Sequence, residues 1–176
     1  NEWWNHISAL ENYDRPEIAA EELPADAYRD DVAANLAVAE RWVTEHSDTE
    51  FDFFLPPYSI LFWDKVIREG RTEAVFAAIR QAGQTLLQYD NVKFYGYLMD
   101  PEIVTNLDNY CDYIHPSGGV CREILAMLQR EEGRLTEENL EETLANWREF
   151  VVHYDYDQFW DERFWIQWNA EHAAAP

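Results

Sequence analysis

The segment EFDFFLPPY at residues 50–58 constrains this chain more than any other feature. An aromatic run closed by Pro56 and Pro57 suits a short strand ending in a turn, and a strand this apolar needs cover on both faces. Helical patterns flank it. Residues 27–46 place Tyr28, Val32, Leu36, Ala39 and Val43 on one stripe. Asp26 is the expected N-cap there, with Asp30 and Asp31 in the first turn, where carboxylates suit the helix dipole. Further helices are expected over 59–69 and 71–88, separated by Gly70, the second aligning Val75, Phe76, Ile79, Ala82 and Leu86. After an Asp90-Asn91 turn, VKFYGY at 92–97 reads as a second strand, because β-branched and aromatic residues fit a pleated, half-buried surface. An irregular stretch over 98–119 precedes helices over 120–131 and 137–152, the last capped by Thr136.

This alternation points to an α/β fold with a parallel sheet built by right-handed crossovers, in a single domain over 1–176 with an arm at 1–23 and an aromatic-acidic tail at 154–176. Only two strands are visible, against the roughly four to six a sheet usually has. The sequence therefore predicts further amino-terminal strands from missing sequence or from another chain. The tail, YDYDQFWDERFWIQW at 154–168, reads as an amphipathic segment docking on the core or on a partner, or more sharply as a sugar-stacking surface.

Charge removes whole classes of partner. The 176 residues carry 13 Lys and Arg against 35 Asp and Glu, a net charge of -22, so a face that displaces counterions from nucleic-acid phosphates is excluded. With 47 % hydrophobic and 15 % aromatic residues the chain folds rather than forming a disordered acidic tail. No apolar run reaches the roughly 20 residues of a membrane span. Behind Asn1 there is no basic stretch and apolar core of a signal peptide, so the start of the gene product is expected elsewhere. His6, His46, His153 and His172 are scattered and no Cys/His ligand spacing occurs, so neither a metal nor a cofactor is expected. Cys111 and Cys121 bracket the segment DYIHPSGGV, and two readings stand for them: a disulfide bracing that loop, or two reduced thiols.

Chemistry concentrates in NLDNYCDYIHPSGG, at the carboxyl end of the second strand, the edge at which open α/β sheets bind ligands. Asp112 and His115 are spaced so that, on a turn, the carboxylate holds one imidazole nitrogen while the other faces a substrate.

DYIH at 112–115 resembles the last motif of SGNH/GDSL hydrolases, in which the Asp and His of a DxxH block complete a triad with a Ser from an amino-terminal GDS block. FFLPPYSILFWD at 53–64, YDNVKFYGY at 89–97, EIVTNLDNYCDYIHPS at 102–117 and RLTEENLEE at 134–142 are similar to successive segments of a largely uncharacterised bacterial group of that kind. The resemblance covers about residues 27–157. It implies part of a flavodoxin-like, three-layer parallel-sheet fold, and an esterase or acyltransferase acting on a small-molecule or glycan ester, such as the acyl groups of surface polysaccharides. His115 would be the general base, Asp112 its orienting carboxylate, and Tyr58, Ser59, Asn106 and Asp108 would line the pocket. An extracellular or cell-envelope location is implied too. The chain departs from the family in having no GDS block: its serines are Ser8, Ser47, Ser59 and Ser117, none in the nucleophile's strand-to-turn context. The resemblance thus covers a carboxyl-terminal portion with base and orienter, and the nucleophile is expected from a missing amino-terminal half or partner chain. The alternative is a non-catalytic α/β module that binds a glycan or a protein.

Overall fold

A computed structural model describes residues 4–161. Seven α-helices and three strands, besides three short 3-10 turns, are found among them: α1 (His6–Glu11), α2 (Arg29–Glu45), β1 (Phe51–Phe54), α3 (Ile60–Arg68), α4 (Thr72–Leu86), β2 (Val92–Tyr95), α5 (Pro101–Val104), α6 (Gly118–Gln129), β3 (Arg134–Leu135) and α7 (Leu140–His153). β1 and β2 pair in parallel from Phe51 opposite Val92 to Phe54 opposite Tyr95, and β3 runs antiparallel on the far side of β2. The sheet is therefore mixed and three-stranded, where the sequence showed two strands and a purely parallel pattern. The reason is length: Arg134 and Leu135 have no periodicity to read, and RLTEENLEE looks like the approach to a helix.

A tight reversal brings β3 alongside. Gly133 adopts φ +73°, the Gly96 amide donates to its carbonyl at 3.0 Å, and a Cβ there would stand 3.0 Å from the Tyr97 ring. α7 then begins three residues later than the Glu137 start the pattern suggests. Asn139, not the expected Thr136, takes the cap position, and the two residues bind each other just ahead of the helix, the Asn139 amide donating to Thr136 Oγ1 (3.2 Å) and the Thr136 amide to Asn139 Oδ1 (2.9 Å). At α2 the expected cap fails: residues 24–27 form a turn, Tyr28 takes the cap position, and Asp26 pairs with Arg29 at 3.4 Å instead.

Side-chain alternation splits the sheet's environment in two. Phe51 and Phe53 of β1 with Val92 and Phe94 of β2 join the main core, shared with α3, α4 and α7. Tyr95 joins Tyr97 and the α6 residues Val120, Ile124 and Met127 in a second, smaller cluster, and Asp52 and Phe54 of β1 stay exposed. α3 is buried around most of its circumference through Ile60, Leu61, Trp63, Asp64 and Val66.

The amino-terminal arm crosses the end of α3. Its Ala19 and Leu23 amides donate to the carbonyls of Arg68 and Gly70 at 2.7 and 2.6 Å, and Gly70 (φ +63°) lies so close that a Cβ would meet the Glu21 carbonyl oxygen at 2.5 Å. Arg15 anchors the arm: its guanidinium grips the buried Asp64 carboxylate at 2.9 and 3.2 Å, reaches Asp157 at 2.8 Å, and lies 4.1 Å over the Trp160 ring. Tyr13 adds its hydroxyl to Asp64 at 2.9 Å. In the tail, Tyr156 and Phe159 are buried in the main core; residues 162–168, the rest of the expected sugar-stacking stretch, lie outside the described residues.

Candidate functional site

Two connections meet at the carboxyl edge of the parallel pair. The turn after β1 carries Pro57, Tyr58 and Ser59, and the long segment after β2 folds back on it as short helical turns ending in a closed loop over residues 106–117. The Tyr110 hydroxyl, wholly buried, donates to the Pro57 carbonyl at 2.7 Å, and burial pushes its phenol well above the usual range. The loop is drawn together by the Ser117 amide on the Asn109 carbonyl (2.7 Å) and a bridge between Tyr110 and Pro116. Ser117 caps α6, its Oγ accepting from the Val120 amide at 3.3 Å.

Asp112 and His115 come together as their spacing suggests. His115 Nδ1 lies 2.6 Å from Asp112 Oδ2, while Asp112 Oδ1 accepts from the amides of Ile114 and His115, both at 2.8 Å. Partial burial pushes this carboxyl up, but the His115 ring and the two amides outweigh it, and it titrates below the ordinary carboxylate range. With the carboxylate ionised, Nδ1 carries the imidazole proton and Nε2 the lone pair. Asp112 is 24 % exposed and His115 67 %, so Nε2 faces outward, with no hydrogen-bond partner among the described residues. The arrangement can accept a proton at Nε2 and stabilise the resulting imidazolium.

The other expected site residues divide. Ser59 is buried, and its hydroxyl donates to the Tyr113 carbonyl, inside the DYIH turn, at 2.9 Å. Tyr58 is half-buried, its ring 5.1 Å from Phe62. Asn106 accepts from the Asp108 amide at 3.1 Å, which shapes the loop. Asp108 holds the arm: its Oδ1 accepts from the His6 amide at 3.0 Å and lies 2.7 Å from His6 Nδ1. Cys111 and Cys121 are separate thiols in the structure. Burial and then the Asp112 charge push the Cys111 thiol up, so it stays protonated at neutral pH and is a poor nucleophile. Ser8 lies on α1 and Ser47 in the exposed α2–β1 turn, and among the described residues no serine hydroxyl hydrogen-bonds to His115.

Sequence reasoning passed over His6 and Asn12. The Asn12 carboxamide donates to the Cys111 carbonyl at 3.1 Å, so the arm braces the loop at two points, Asp108 and Cys111. No local signal joins residues about a hundred positions apart. Hollows of 490 Å³, lined by Arg29, Ala78 and Gln81 among others, and of 360 Å³, lined by Tyr97, Asp100 and Arg134 among others, include neither Asp112 nor His115. The fold and site define a mixed α/β domain, its three-stranded sheet flanked by helices, with an oriented imidazole on its surface. Neither a family model, nor a curated protein, nor a solved structure matches the chain.

Proposed function

We propose that this chain supplies the base half of an SGNH-type acyl-ester hydrolase or acyltransferase, as part of a flavodoxin-like sheet completed by polypeptide that brings the serine. One observation carries the reading: a surface imidazole whose Nδ1 is held at 2.6 Å by a carboxylate that two backbone amides fix in turn, at the carboxyl edge of a parallel strand pair. His115 takes the proton of an incoming serine hydroxyl as that oxygen attacks the ester carbonyl, and later returns it to the leaving alkoxide. Asp112 keeps the tautomer and offsets the imidazolium charge. Acyl groups on glycans or small molecules are the proposed substrates. The described part of the aromatic tail spends Tyr156 and Phe159 on the core, which favours this reading over a glycan-stacking module.

The test is labelling with a fluorophosphonate probe followed by intact mass. The expected result is no adduct on this chain and one on a co-purifying serine-bearing polypeptide, lost when His115→Ala is introduced here. An adduct on this chain, or labelling indifferent to His115→Ala, overturns the assignment.

A further inference from the structure

Ser59 and Asp112 are joined by a single peptide group. Ser59 is wholly buried and occupies the N-cap of α3, where a serine usually turns its oxygen to the helix's own amides, yet it makes no such cap. Its amide (3.1 Å) and hydroxyl (2.9 Å) both donate to the Tyr113 carbonyl oxygen. That carbonyl shares one rigid plane with the Ile114 amide, which donates to Asp112 Oδ1 at 2.8 Å. Fixing the oxygen end of the plane aims its N–H end. Two hydrogen bonds on the oxygen also polarise the unit and make the N–H a stronger donor. The Tyr113 ring is held as well, 5.8 Å from Tyr13 and 5.6 Å from the Lys65 ammonium, which restrains the plane from turning.

We propose that Ser59 is a positioning residue, acting through the Tyr113–Ile114 peptide on the Asp112 carboxylate and through Asp112 on His115. Its importance to chemistry rests on the reading of His115 as a base; the coupling itself does not. The hydroxyl proton is committed to Tyr113, which sets Ser59 apart from a nucleophile that must surrender its proton to an imidazole.

The test is NMR on the 176-residue chain without any ester. Ser59→Ala should raise the midpoint of the Asp112 carboxyl and accelerate exchange of the Ile114 amide about fivefold, the loss of one neutral hydrogen bond. In an Asp112→Ala background, where the Ile114 amide has lost its acceptor, adding Ser59→Ala should change that exchange by less than about twofold. A merely structural role would speed exchange of the Ser117 amide, which closes the same loop on the Asn109 carbonyl, as much as that of Ile114, and that result overturns the proposal. So does an unchanged Asp112 midpoint in folded Ser59→Ala. Should the alanine variant not fold, Ser59→Cys, close in size but a weak donor, is expected to shift both readouts in the same direction; no shift there overturns it. Because no substrate enters, failure of the hydrolase reading leaves these outcomes standing, and their failure leaves the labelling experiment standing.

Discussion

One loop carries two histidine–aspartate pairs whose exposures are reversed. At Asp108 the histidine is enclosed, with 6 % of the His6 side chain exposed, and the carboxylate is open at 49 %; at Asp112 the carboxylate is the sheltered member and the ring stands in solvent. Both use Nδ1 at nearly the same distance, 2.7 and 2.6 Å. What separates them is the environment of the rest of the ring. The His6 ring sits in the body of the fold and fastens α1 to the loop, as a strut does. The His115 ring keeps Nε2 toward solvent, where a reacting group can reach it. A short Asp–His distance is therefore poor evidence of catalysis until burial has been weighed.

Substitutions can break that contrast. The largest effect is expected of His115→Ala, which, on the proposed reading of His115 as the base of an ester hydrolase, should cut ester turnover by about 10² to 10⁴-fold, the usual contribution of a positioned acid–base group, in a pre-steady-state assay. His115→Ala should leave folding stability within about 0.5 kcal/mol, as for an exposed side chain, whereas His6→Ala should cost about 2 kcal/mol by urea unfolding, because it removes a buried ring and its hydrogen bond. If both variants are equally stable, the strut assignment falls. Asp108→Asn, which keeps the shape but weakens a charge-assisted bond from a half-exposed group, should cost no more than about 1 kcal/mol in the same measurement.

The smallest effect concerns acid. Asp112 titrates below its ordinary range in the folded chain, so its contribution to stability is present above the unfolded value, near roughly 3.9, and is lost as pH falls through the lower native value. Urea midpoints between pH 5 and 2 should fall more steeply for the native chain than for Asp112→Asn, by less than about 1 kcal/mol given the partial exposure. Parallel curves would mean that the carboxylate gains nothing from its three donors.

Local patterns were legible in the sequence and long-range ones were not. The α2 stripe ends on the buried Val43 as its spacing implies, and α3, α4 and β2 fall within two residues of their expected bounds, because periodicity and breakers are written into contiguous residues. Asp112 and His115 were legible for the same reason: three residues on a turn decide their contact. β3 was invisible at two residues, and the parallel pattern it interrupts was over-read. The role of His6 depends on a partner 102 positions away, and that of Ser59 on a carbonyl 54 positions away. Neither partner leaves a trace beside them, and a backbone oxygen leaves none anywhere.

The Arg15 fork bears on how this molecule comes apart. One guanidinium serves Asp64 inside the fold and Asp157 near its surface, so peeling back the arm leaves the Asp64 charge buried without its counter-ion, a state that typically costs several kcal/mol. Fraying by degrees is thereby suppressed. The arm, α3 and residues 156–160 should exchange their amides as one cooperative unit, and the slowest-opening part of the chain should include a stretch that, by its lack of regular structure, looks like the first to loosen.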